Sequence, residues 1–105
     1  MEYGTGSYLE EGKRYQGKII LDEKFYIKGE KEYPETYIPL EKVEAVRIRG
    51  NRMEVMVTPS LVTAYTATIE GESKELKRLI KDLAQRIGLK KRLFKAEWVG
   101  KPYSR

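Results

Sequence analysis

The chain has 105 residues, 40% of them apolar and 35% charged, with a net charge of +5. A chain of this length makes one domain with one core and buries roughly 60–70% of the surface its unfolded form exposes. It contains neither Cys nor His, which excludes disulfides, thiolate catalysis, Cys-ligated zinc, Ser-His-Asp and Cys-His chemistry, and two-His metal sites. No run approaches the ~20 apolar residues of a membrane span, and the first residues lack the apolar core of a signal peptide, so the expected location is the cytoplasm. Asn occurs once and Gln twice amid abundant Lys, Arg and Glu, a bias common in thermophile proteins.

In chain order, residues 1–13 carry Gly4, Gly6 and Gly12 between Tyr3, Tyr8 and acidic residues, and read as a loose lead-in or a short edge strand. From Arg14 to Leu21, Tyr15, Ile19 and Leu21 share one face at period 2, with Gly17 interrupting as at a bulge. Asp22-Glu23 turns the chain into Lys24–Lys28, where Phe25 and Ile27 alternate with polar-tipped neighbours. Gly29–Glu35 reads as a loop, and Thr36–Leu40 as a short strand.

The clearest local signal is Gly50-Asn51 between two alternating runs, a two-residue hairpin connection. The register it implies pairs Arg49 with Arg52, Ile48 with Met53, Arg47 with Glu54 and Val46 with Val55. That puts the apolar pairs on one face and an opposite-charge pair on the other, and a one-residue slip destroys both agreements. Thr58-Pro59-Ser60 then turns into a Thr-rich strand over Leu61–Glu70 with Tyr65, Ala67 and Ile69 facing inward. Turns this short imply antiparallel pairing.

The pattern then changes period. Leu76, Leu79, Ile80, Leu83 and Ile87 recur at helical spacing over residues 73–87, with Ser73 as cap, Glu75 in the first turn and Gly88 at the C-terminus. Such a stripe must be covered by the sheet. Lys74, Lys77, Arg78 and Lys81 gather on the opposite face. Residues 88–105 form a basic and aromatic tail: Lys90, Lys91, Arg92 and Lys95 with Phe94 and Trp98. Residues 1–73 hold 10 Lys/Arg against 13 Asp/Glu, a net −3, whereas residues 74–105 hold 11 against 3, a net +8. The helix face and the tail, from Lys74 to Trp98, are therefore the candidate binding residues, with a merely solvated basic face as the plain alternative.

The phrase Gly17-Lys-Ile-Ile-Leu-Asp-Glu-Lys-Phe-Tyr-Ile27, followed by Ile38-Pro-Leu-Glu-Lys-Val-Glu-Ala-Val46, resembles pleckstrin-homology-like domains of the GRAM and bacterial types over roughly residues 15–87. The resemblance implies a mainly β fold over residues 14–87, with strands to residue 70. In such domains two near-orthogonal antiparallel sheets form a partly open barrel plugged by a C-terminal helix. It also implies a binding scaffold and not an enzyme. Two positions depart from the lipid-binding members. The turn after the first of these strands is the short, acidic Asp22-Glu23 instead of a long basic loop, and Trp98 lies beyond Gly88 instead of within the helix.

The expected partner is a protein. An anionic membrane surface is the alternative, engaged by the helix and tail cations with Phe94 and Trp98 at the interface. Non-specific nucleic-acid binding ranks below both, and a homo-oligomer through a free edge strand is open. Adjacent carboxylates such as Glu10-Glu11 and Asp22-Glu23 point apart in strands or turns. Glu30, Glu32 and Glu35 sit in a solvated loop, so no catalytic, metal or cofactor role is assigned.

Overall fold

The computed structural model describes residues 1–91 and 97–99. Six strands precede the helix: β1 (Glu2–Glu10), β2 (Lys13–Leu21), β3 (Phe25–Lys28), β4 (Val43–Arg49), β5 (Arg52–Val57) and β6 (Tyr65–Gly71). The helix α1 (Ser73–Ile87) is followed by two short strands, β7 (Lys90–Lys91) and β8 (Glu97–Val99). All pairings are antiparallel and form one sheet in the order β3-β2-β1-β6-β5-β4-β8-β7. The fold is thus mainly β with one C-terminal helix, as expected. The hydrogen-bonded pairing is continuous across one sheet, whose outer strands β3 and β7 do not pair with each other.

The Gly50-Asn51 hairpin has the anticipated register throughout: Arg49↔Arg52, Ile48↔Met53, Arg47↔Glu54 and Val46↔Val55. Of the two turn residues only Gly50 is at positive φ (59°), the arrangement of a type II′ turn, whose twist suits flanking strands. Met53, Val55 and Val57 point into the core, and Arg47 pairs with Glu54 outside at 3.2 Å.

Strand β1 departs from the expectation of a lead-in or edge strand. It is an interior strand, flanked by β2 and β6, and its glycines are what permit this. Gly6 faces Gly17 on β2 and Gly71 on β6 in register. A Cβ at Gly6 would strike the Glu70 carbonyl and sit 2.7 Å from Ile19 Cδ1, and one at Gly17 would strike the Lys28 carbonyl. Glycine here marks close backbone approach across three strands. Gly17 makes no bulge; the irregularity lies between Glu2 and Thr5.

Two further departures are local. The segment expected as a strand over Thr36–Leu40 is two one-turn 3-10 helices, Pro34–Thr36 and Leu40–Lys42, with Ile38 bridging to Phe25 between them. Thr36 is fully buried there. Its hydroxyl accepts from the Ile27 N–H (3.2 Å) and donates to the Tyr33 carbonyl (2.8 Å), covering the outer edge of β3. Strand β6 begins at Tyr65 and not at Leu61, because residues 58–64 are loop, held at one end by the Thr58 N–H to the Lys42 carbonyl (2.9 Å).

The helix spans the expected residues, yet its N-cap is Glu72, with no side-chain cap, and Ser73 is its first helical residue. Leu76, Leu79 and Leu83 are fully buried in one cluster with Ile19, Val46, Val55 and Ile69. Gly88 ends the helix in the left-handed conformation (φ 78°) and the Leu89 N–H bonds to the Ala84 carbonyl at 2.8 Å. This is a Schellman turn. It explains why Leu89, off the apolar stripe of a continued helix, is nevertheless buried.

Candidate functional site

The helix is laid against the N-terminal half of β1. The Tyr3 hydroxyl donates to Asp82 Oδ2 (2.6 Å), and the Arg78 guanidinium stands 4.6 Å from the Tyr3 ring centre. Arg78 also donates to the Glu2 carbonyl (2.8 Å) and to Glu75 Oε2 (3.0 Å). One of the four helix cations singled out by sequence is thereby engaged in holding helix to sheet. Lys74, Lys77 and Lys81 are exposed, and among the described residues no carboxylate lies within ion-pair distance of them. They form a true basic stripe, as the charge pattern indicated.

The tail is only partly in view. Lys90 and Lys91 lie in β7 and Trp98 in β8, where Trp98 is in register with Val46 on one side and Lys91 on the other. The backbone of residues 97–99 therefore returns to the sheet beside β4. Arg92, Phe94 and Lys95 lie outside the described residues.

The opposite end of the sheet was not anticipated. β1 runs from the helix contact at Tyr3 to its turn at Glu11-Gly12, and at ~3.3 Å per residue the two ends are roughly 25 Å apart. At that far end an open cleft of about 820 Å³ is lined by Tyr8, Glu10, Glu11, Lys13, Glu35 and Tyr65, among others. Tyr8 is 7% exposed, and its hydroxyl makes no hydrogen bond among the described residues. Burial first, then the neighbouring Tyr65, Glu10 and Tyr15, push its phenol up to about 12, so it stays neutral. Tyr8 packs edge-on against Tyr15 (6.3 Å), which in turn meets Tyr33 (5.2 Å), so the Tyr8 ring is held from behind by other rings while Tyr8 and Tyr65 line the cleft.

The loop joining β5 to β6 leads into Tyr65 and Thr66 of the cleft lining. Among the described residues five large apolar side chains are exposed, and four of them, Met56, Leu61, Val62 and Tyr65, belong to this one hairpin. Leu61 and Val62 are fully exposed, at 106% and 94%. The sequence puts Leu61 in a strand, whereas it lies in the loop; Tyr65 does share the face of Ala67 and Ile69, opposite buried Val57, but at the end of its strand it stays 39% exposed. The turn signal at Thr58-Pro59-Ser60, followed by polar Thr63, was the available hint of a longer loop.

Among the described residues no group of three carboxylates is placed to hold a metal ion, and no helix is long and apolar enough to cross a membrane. Comparison with protein-family models, with curated proteins and with solved structures finds no match to this chain. The class of protein therefore rests on fold and surface: an antiparallel sheet closed over by one helix, with a displayed apolar loop beside an acidic, tyrosine-walled cleft.

Proposed function

We propose that this chain is a non-enzymatic, pleckstrin-homology-like interaction module that binds a protein partner at the end of its sheet away from the helix. The observation that carries the reading is the concentration of exposed apolar side chains on the β5–β6 hairpin. Scattered surface apolars are ordinary, but two neighbouring apolar residues fully displayed on one loop, Leu61 and Val62, are the mark of an interaction site. The order of elements, six antiparallel strands and then a helix packed on them, supports a scaffold of the pleckstrin-homology-like kind, a partly open barrel plugged by the helix.

The charge of this end favours a protein over a bilayer. Glu10, Glu11 and Glu35 outnumber Lys13 around the cleft, and anionic lipid would be repelled where a basic, apolar protein segment would be attracted. A photo-crosslinking residue at position 61, introduced into the full chain and irradiated in an extract of the source cells, tests this. A discrete adduct from position 61, and none from position 77 on the helix, is expected; equal labelling at both positions, or none at either, would overturn the reading.

A second reading keeps one specific support. The exposed stripe of Lys74, Lys77 and Lys81 suits an anionic surface, each cation contributing about 1 kcal/mol near such a bilayer. Co-sedimentation with vesicles of neutral and of anionic lipid separates the two: binding to anionic vesicles lost on Lys→Gln substitution at these three positions favours this reading, and equal, negligible binding to both removes it.

A further inference from the structure

We propose that the cleft between the β1–β2 turn and the start of β6 receives a cationic side chain, an Arg guanidinium or Lys ammonium, of the partner protein, with the Tyr8 hydroxyl as acceptor and Glu10 and Glu35 as counter-charges. The inference deepens the interaction-module reading and rests on it. The acidic residues alone would not carry it, since exposed carboxylates are common on any charged surface. What makes this a built site is Tyr8: its ring is packed among Tyr15 and the core, only 7% of the residue is exposed, and its hydroxyl opens on the cleft without a hydrogen-bond partner among the described residues.

A hydroxyl held in one position by a buried ring, and kept neutral by that burial, is a fixed acceptor for an N–H donor. Tyr65, half-exposed at the other wall, presents an aromatic surface to a cation, and Arg is the side chain most often found in that setting. Glu10 and Glu35 are exposed, on the β1–β2 hairpin and the Pro34–Thr36 turn respectively. Two separate elements thus bring negative charge to one cleft. The occupant is organic and not a metal ion, because the carboxylates do not converge to coordination distance, whereas aromatic walls and one hydroxyl suit a polarisable, planar donor. The partner's apolar residues would meet Leu61 and Val62 on the loop that leads into Tyr65.

Backbone-amide NMR of the full chain, titrated with hexa-arginine and separately with hexa-glutamate, tests the assignment. Saturable shifts at Tyr8, Glu10, Glu35 and Tyr65 with hexa-arginine, and none with hexa-glutamate, are expected. The paired Glu10→Gln and Glu35→Gln substitution, at exposed positions that leave the fold intact, should weaken binding about tenfold, and Tyr8→Phe by a smaller factor. Shifts spread equally over distant carboxylates such as Glu23 and Glu44, or affinity unchanged in the paired variant, would overturn it. If the position-61 adduct persists while hexa-arginine leaves these residues unmoved, the module reading stands and the cation assignment falls; loss of both removes both.

Discussion

The Tyr3 hydroxyl donates a 2.6 Å hydrogen bond to Asp82 Oδ2, tying the second residue of β1 to the third turn of α1 across 79 positions of sequence. Tyr3 is 1% exposed, and Arg78 lies over the face of its ring. A single tyrosine thereby carries a core ring, a charge-assisted hydrogen bond and a cation–π contact at the seam between helix and sheet.

That seam makes stability sensitive to alkali. Burial first, then the hydrogen bond and negative charge of Asp82, push the Tyr3 phenol up to about 12 from 10.0. The folded state therefore keeps a proton that the unfolded chain has lost between these values, and stability must fall as pH rises through that window. The contribution is fully present below pH 10. Thermal unfolding followed by circular dichroism from pH 8 to 12 should show the midpoint dropping above pH 10. Tyr3→Phe should cost about 1–3 kcal/mol at pH 7 and flatten the alkaline fall; an unchanged pH profile in Tyr3→Phe would exclude this residue as its source, leaving Tyr8 and Tyr65, which burial shifts in the same direction.

Glycine substitutions should divide sharply by location. At Gly17 an added Cβ meets the Lys28 carbonyl, and at Gly6 it meets the Glu70 carbonyl, both backbone atoms that cannot swing aside. At Gly12 nothing lies within 4 Å of the added carbon, and only the left-handed backbone (φ 68°) opposes it. Gly12→Ala should therefore cost about 1 kcal/mol, whereas Gly17→Ala and Gly6→Ala should each exceed roughly 3 kcal/mol or prevent folding. Urea denaturation of the three variants gives the order directly.

The same glycines show where the sequence was and was not legible. The β4–β5 hairpin could be read residue by residue because turn chemistry, face alternation and the Arg47–Glu54 charge pair all fix one register. The helix was legible from its stripe and from Gly88. Strand β1 was not, because Gly4, Gly6 and Gly12 read locally as breakers, and the neighbours that require Gly6, Ile19 on β2 and Glu70 on β6, lie 13 and 64 residues away. A strand's need for glycine comes from what crosses it, which no local window contains. The basic helix face was visible as charge, but Arg78's commitment to Tyr3 and Glu2 was not. The far cleft was invisible because Tyr8, Glu35 and Tyr65 are drawn together only by the paths of β1, β6 and the segment outside β3.

That outer segment supplies another expectation. Thr36 is the only side chain bonded to the β3 edge among the described residues, accepting from the Ile27 N–H at 3.2 Å. Thr36→Val keeps the shape and removes the acceptor, leaving a buried donor unpaired at a cost of about 1–3 kcal/mol. Hydrogen exchange at the Ile27 amide should accelerate well before global unfolding, and the uncovered edge should promote association at high concentration. Unaltered Ile27 protection would mean that the Phe25–Ile38 and Lys28–Glu32 bridges close this edge without the Thr36 hydroxyl.

Finally, Leu61 and Val62 should be free of any structural duty. Both are fully exposed, and the one hydrogen bond near them, from the Val62 N–H to Ser60 Oγ at 3.4 Å, is local and long. Replacing both by Ser should change unfolding free energy by no more than about 0.5 kcal/mol in either direction, since nothing packed is removed. By contrast, Leu79→Ala, which truncates a fully buried side chain of the helix, should cost about 2–5 kcal/mol. On the proposed reading the Ser pair should abolish the position-specific capture of a partner while leaving the melting temperature in place. A large loss of stability in the Ser pair would show instead that the loop folds onto the sheet in solution, and the displayed apolar surface would cease to be an argument for recognition.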